Sequence, residues 1–197
     1  MTLIRHGREN MVYVLGIHDG HNASACLLKD GKLLACAQEE RFVRIKNIIA
    51  FPMNAINYVL NFANISAQDI DLIVISSKYG NFGWYKTYNM GIMSKIYTKM
   101  IDDSKTVSTY DVKIPPKKLF VKLGFLIARY AGRKIRKRSI EIISKLLNVD
   151  KNIIISMDHH LGHAYTALYS SKFPTLGEET LVFTADAEGD LISSRIY

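Results

Sequence analysis

Apolar residues fall first in short continuous runs and later at helical intervals, and this change of period organises the chain. Residues 12–16, 23–28 and 33–38 are apolar runs of strand length, and Asp30-Gly31 sits between the last two. An Asp-Gly pair between such runs is a hairpin signal, because both turn residues must tolerate positive φ. Three antiparallel strands are therefore expected first. A helix follows over residues 52–63, with Pro52 preorganised in its first turn and Ala55, Ile56, Val59, Leu60 and Ala63 on one face. Residues 72–76 read as a short buried strand. Residues 78–116 are aromatic, Met-rich and Gly-punctuated, ending at Pro115-Pro116, and read as an irregular insertion. Helical material is expected over 118–147 with a break near Gly132, then a strand over 152–157 leading into a helix that reaches about Ser171. A strand over 180–185, a turn over Asp186–Asp190 and a strand from Leu191 close the pattern. Residues 1–10 have no clear period and read as an unstructured leader, with the ordered pattern starting at Met11.

This order, antiparallel strands and then strands alternating with helices, predicts an α/β fold with a mixed sheet and flanking helices. It matches part of a ribonuclease-H-like lobe. A chain of 197 residues with 48% hydrophobic content can bury one sizeable core, as one domain or slightly more. The two cysteines, Cys26 and Cys36, lie in strand-like runs, and nothing resembles a secretory segment, so free thiols and a cytoplasmic location are expected. No apolar run reaches the roughly eighteen residues that span a bilayer.

The net charge of +8 is local rather than general. Residues 113–138 hold ten Lys or Arg and no Asp or Glu, which leaves the remainder near about −2. Leu119, Leu123, Leu126 and Tyr130 recur there at helical spacing, making a basic amphipathic helix. Three readings stand for it: a solvated face, a surface for anionic lipid or a partner, and a nucleic-acid patch. Aromatic residues suited to stacking bases are sparse, so no nucleic acid is expected.

Candidate chemistry concentrates at D-H-H-L-G-H-A-Y-T-A, residues 158–167, which carries three of the six histidines. His159 and His163 are four apart on a helix, so both imidazoles share a face and can grip one cation. A helix whose histidines merely cap or pack is the other reading, and no third ligand is visible nearby. His160 is expected to turn away, about 100° round the helix. Since the preceding run reads as a strand, the histidines leave its carboxyl end, where open α/β sheets place their sites. A second candidate is the turn His18, Asp19, Gly20, His21 and Asn22: Gly20 lets the backbone approach an anion, and Asp19 can orient a metal or water, although a plain β-turn has the same pattern. Arg41, Arg44 and Lys46 are cations suited to an anionic substrate or to a solvated cluster paired with Glu39 and Glu40.

The run G-I-H-D-G-H-N-A-S-A-C-L-L-K-D-G-K-L-L-A-C-A-Q-E-E-R-F-V-R-I-K at residues 16–46, with Phe51-Pro52 after it, closely resembles the start of the NodU/CmcH-type O-carbamoyltransferases. H-H-L-G-H-A-Y-T-A-L-Y-S-S-K-F with its Asp-rich turn resembles that family's second hallmark. The resemblance implies a lobe of the actin, sugar-kinase and heat-shock chaperone superfamily. It also implies activation of carbamoyl phosphate with ATP to a carbamoyl-adenylate, and transfer of the carbamoyl group to a hydroxyl. It makes His159 and His163 ligands of a metal, usually iron, completed by an aspartate further along. It implies carbamoyl phosphate binding by His18, Asp19, Gly20, His21, Arg41 and Lys46, and ATP binding by Asp186, Gly189 and Asp190.

Where the family shows D-G-x-G-D, this chain has D-A-E-G-D, with Ala187 at a glycine position. Family members continue well beyond Tyr197, so residues 11–197 are expected to be the N-terminal part of a carbamoyl phosphate and nucleotide domain, with a further metal ligand, a missing C-terminal portion or a complementary chain beyond it. Such a piece is expected to be inactive alone and prone to self-association. The alternative is a non-catalytic half-lobe that docks on a partner or membrane surface through the basic helix. A tRNA-modifying relative fits residues 16–46 less well.

Overall fold

Alternate burial along the first strands builds a sheet with one covered face. The computed structural model describes residues 11–79, 118–171, 179–190 and 192–197; the side chains of 118–129, 187 and 188 lie outside that description. The leader and nearly all of the 78–116 insertion also fall outside it. The chain divides into two units, Met1–Ile75 with Ile142–Ile155, and Ser76–Glu141 with Ser156–Tyr197.

In the first unit, β1 (Tyr13–His18) buries Tyr13, Leu15 and Ile17, every second residue. It pairs antiparallel with β2 (Ser24–Lys29), which pairs antiparallel with β3 (Lys32–Gln38). Asp30 and Gly31 join those two strands with φ of 49° and 75°, the conformation that favours this dipeptide in a two-residue turn. β4 (Leu72–Ile75) lies parallel to β1 on its other side, and β5 (Ile154–Ser156) follows, giving the order β3-β2-β1-β4-β5. An antiparallel three-strand start extended by a parallel fourth strand is the ribonuclease-H-like arrangement that the sequence predicts. Cys26 and Cys36 are free thiols opposite one another across β2 and β3.

After a four-residue helix α1 (Glu40–Val43), α2 (Met53–Phe62) lays Ala55, Ile56, Val59 and Leu60 on the sheet. Glu39, which the sequence suggests as a partner of nearby cations, is buried. Its carboxylate accepts from the Asn54 and Ala55 N–H groups at 3.4 and 2.9 Å and from the Asn54 amide at 2.6 Å, so it serves the free donors at the start of α2. Glu40 accepts from the Asn47 N–H. Leu15, Ile17, Leu27, Ile56, Ile73 and Ile75 are almost fully buried, each worth about 1.5–3 kcal/mol relative to exposure.

Three boundaries differ from expectation. The helix expected to break near Gly132 is continuous as α3 (Lys118–Leu147). A Cβ on Gly132 would come within 2.9 Å of Tyr79, so this glycine admits a packed ring rather than ending a helix. β5 is shorter than its apolar run, because Asp150 accepts from the Asn152 N–H and turns Lys151–Ile153 into a 3₁₀ turn. The strand expected to stop at Ala185 runs on as β6 (Phe183–Gly189), so four residues of D-A-E-G-D are strand rather than turn.

In the second unit, β6 pairs antiparallel with β7 (Ile192–Ile196), with a register irregularity between Ala185 and Gly189. The histidine helix α4 (His159–Ser170) packs on β6.

Candidate metal centre

Two carboxylates fix the start of α4. Asp158 is its N-cap and accepts from the Leu161 N–H at 3.1 Å. Asp190 accepts from the His159 N–H at 2.8 Å and also from the Ser77 hydroxyl at 2.6 Å and the Lys78 N–H at 3.0 Å. Residues 77–78 and the first residue of α4 are thereby tied to one side chain. Asp158 is only 4% exposed and is reached by the Lys78 ammonium at 3.2 Å and the Arg195 guanidinium at 3.1 Å. Burial alone would raise its pKa, but the Leu161 N–H, Lys78 and Arg195 outweigh it and hold the carboxyl below its ordinary value.

From this fixed start the three histidines part. His160 is fully buried; its Nε2–H donates to the Ile192 carbonyl, and its Nδ1 accepts from the Thr184 hydroxyl, each at 2.9 Å. It packs α4 onto the strand pair, as its position on the helix predicts. His159 and His163 are one turn apart with ring centroids 4.7 Å from each other, and their Nε2 atoms are 3.0 Å apart. Both reach Asp186 Oδ2, His159 at 2.9 Å and His163 at 3.3 Å. The sequence shows no third ligand here and allots Asp186 to the nucleotide; the structure brings it against the histidine pair.

These separations suit a shared cation. Donor atoms about 2.1 Å from one ion lie about 3.0 Å apart at right angles and about 3.4 Å apart at tetrahedral angles. The three observed separations, 2.9, 3.0 and 3.3 Å, span that interval. Two imidazole nitrogens and one carboxylate oxygen on one face leave the opposite positions open, as in a two-histidine, one-carboxylate triad. Without a cation both rings can donate to Asp186, but two ring nitrogens then face each other at 3.0 Å with no bond between them. His163 is about half exposed and Asp186 about one-third, so a ligand has access.

Gly189 answers to the same site. A Cβ there would fall 2.1 Å from His159 Cδ2, so any other residue would displace the ring. Ala187 lies in β6 with its side chain outside the described set.

The β1–β2 turn belongs to the first unit. His18 Nε2–H donates to the His21 carbonyl at 2.8 Å, and the Asn22 amide donates to His21 Nδ1 at 3.2 Å. Asp19 is buried, and His21 bridges to Ile49. Arg41 on α1 and Lys46 just after it are exposed, Lys46 three residues before that bridge.

The carbamoyltransferase N-terminus family model matches residues 13–197. An uncharacterised protein of Synechocystis sp. is 26% identical over 195 residues, covering 95% of this chain. The nodulation protein NolNO of Sinorhizobium fredii is 27% identical over 176 residues, covering 89%. The chain spans 27% and 21% of the length of these two relatives. Among solved structures, YeaZ from Pseudomonas aeruginosa aligns with a TM-score of 0.37 at 11% identity, over 79% of this chain and 48% of that one. With the family model covering nearly the whole sequence, the chain belongs to the carbamoyltransferase N-terminus family.

Proposed function

We propose that this chain holds a first-row divalent metal on His159, His163 and Asp186 and contributes that centre to an O-carbamoyltransferase. In the proposed reaction water cleaves carbamoyl phosphate to carbamate and phosphate, the carbamate oxygen attacks the α-phosphorus of ATP and expels pyrophosphate to give a carbamoyl-adenylate, and an acceptor hydroxyl takes the carbamoyl group, losing its proton and releasing AMP. The observation that carries this reading is the convergence of three donor atoms, all within 4.8 Å of one another, in a chain of this family. A divalent cation held there supplies Lewis-acid charge to phosphate oxygens. Two nitrogens and one oxygen suit iron, zinc and their first-row neighbours better than magnesium, and the family resemblance favours iron.

The chain's own residues prepare the site. His159 and His163 would serve as ligands with the proton on Nδ1 and the coordinating lone pair on Nε2. Asp190 fixes the His159 backbone, and Gly189 leaves the ring its space. Asp186, Gly189 and Asp190 are adjacent on β6 and its end, the segment the resemblance gives to ATP. In the first unit, His18, Asp19, Gly20 and His21, with the exposed cations Arg41 and Lys46, form the proposed carbamoyl phosphate subsite. Arg41 can give a charge-assisted bond to phosphate.

Pyrophosphate release from ATP in the presence of carbamoyl phosphate, measured in a full-length relative, tests the reading. Replacing the arginine matching Arg41 by alanine is expected to raise the carbamoyl phosphate KM about thirtyfold. An unchanged KM would return Arg41 to the solvated surface, and pyrophosphate release that ignores carbamoyl phosphate would remove the proposed reaction.

A further inference from the structure

We propose that Cys26 and Cys36 close a reversible disulfide across β2 and β3, a redox site separate from the proposed metal centre and independent of carbamoyl transfer. The two residues are register partners in an antiparallel pair, and both are free thiols. The ladder decides which kind of pair they make. The Glu39 N–H donates to the Ala23 carbonyl at 2.8 Å, so 23 and 39 are a hydrogen-bonded pair. Alternation makes 24–38 non-bonded, 25–37 bonded and Cys26–Cys36 non-bonded, and the register shift comes only after Leu27. The other side of β2 agrees. The Asp30 N–H donates to the Val12 carbonyl at 2.9 Å, so Gly16 and Cys26 fall on a bonded position and the Cys26 backbone groups turn to β1. Residues opposite each other at a non-bonded position have Cα atoms about 4.5 Å apart, within the range of about 4.4–6.8 Å that a disulfide spans.

Both side chains lie on the sheet face opposite to buried Ala25 and Leu27, Cys36 exposed and Cys26 part-buried. The Cys26 sulfur rests over Gly16, where a Cβ would fall 2.6 Å from it, and a turn of χ1 to another staggered well carries it toward Cys36. Burial first, and then Cys36, push the Cys26 thiol above its ordinary pKa. Exposed Cys36 is therefore the attacking thiol and Cys26 the resolving one. The oxidant is a low-molecular-weight disulfide. The Cys36 thiolate attacks one of its sulfurs and expels a thiolate, and the mixed disulfide that results removes the like charge opposing ionisation of Cys26. The Cys26 thiolate then attacks Cys36 Sγ and expels the second thiolate. Two electrons pass from the cysteines to the small disulfide, and the two protons they lose complete its two thiols. Opposed Cβ atoms are about 4.5–5.5 Å apart in a sheet and about 3.8 Å apart across a disulfide, so closure strains the pair and leaves the bond easy to reduce. β3 ends the strand order, so among the described residues drawing it toward β2 disturbs no third strand.

Incubation of the whole chain with oxidised glutathione, read by intact mass and peptide mapping, tests the proposal. The wild type is expected to lose two hydrogen atoms, with Cys26 and Cys36 in one linked peptide, and to regain them in reduced glutathione. Cys26→Ser removes the resolving thiol and is expected to accumulate a glutathione adduct on Cys36 at least about tenfold above the wild type. Cys36→Ser is expected to consume glutathione disulfide at least about tenfold more slowly than Cys26→Ser. Two thiols retained by the wild type, an adduct that accumulates equally in wild type and Cys26→Ser, a bridge joining two chains, or a bridge that reduced glutathione does not open would overturn the proposal.

Discussion

Two pairs of histidines, His18 with His21 and His159 with His163, show how spacing decides what a ring can do. On the β1–β2 turn the pair is three residues apart, the ring centroids are 6.1 Å apart, and one ring is spent on the other residue's carbonyl. On α4 the pair is four residues apart, the centroids are 4.7 Å apart, and both Nε2 atoms turn to one carboxylate. A turn consumes its polar groups in closing itself, whereas a helix satisfies its own backbone and leaves side chains free to converge. The difference favours α4 over the turn as the element of the proposed metal centre.

The sharpest break of the comparison is to add a methyl group beside each pair. Gly189→Ala places a Cβ 2.1 Å from the His159 ring and is expected to weaken metal binding at least a hundredfold, read by calorimetry. Gly20→Ala places a Cβ 2.9 Å from the His18 ring; displacing that ring sacrifices one bond to the His21 carbonyl, about 1 kcal/mol, with metal binding untouched. Equal loss of metal from both variants would erase the distinction.

Asp190→Ala probes the support under α4. It strips acceptors from the Ser77 hydroxyl and the Lys78 and His159 N–H groups, and a loss of about 3 kcal/mol in chemical denaturation is expected. The counterpart in the first unit is Glu39→Ala, which uncovers the start of α2 at an expected cost of about 2 kcal/mol without changing metal affinity.

The smallest effect is on acid stability. Asp158 has a depressed pKa in the folded chain, so its contribution is full above the ordinary carboxylate value and is lost as pH falls through the lower folded one. The wild type should therefore destabilise below about pH 4 more steeply than Asp158→Asn, followed by thermal melts across that range. Parallel curves would mean that Lys78 and Arg195 contribute nothing through Asp158.

The sheet was legible because β1 to β4 carry signals that act locally: apolar runs of strand length and an Asp-Gly turn with both φ values positive. His159 and His163 were legible for the same reason, since helical spacing alone brings them together. The approach of Asp186 to the pair, which makes it the proposed third ligand, was not. Asp, Gly and Ala in succession are turn chemistry, and only pairing with β7 holds residues 186–189 in a strand. With residues 186–189 in a strand, Thr184 and Asp186, two positions apart, point to α4 as a pair, one to His160 and the other to His159 and His163. Asp190's bonds to residues 77–78 cross more than a hundred positions of chain and leave no sequence trace. Gly132 misled for the converse reason: in isolation a helix breaker, it is a contact surface for Tyr79.

Calorimetric titration of the metal-stripped chain with a first-row divalent ion, wild type against Asp186→Ala, is the most direct test of the three-ligand centre. One equivalent is expected to bind the wild type, with affinity falling at least a hundredfold when Asp186 is lost. Undiminished binding by Asp186→Ala would contradict the triad and leave the two histidines with some other partner.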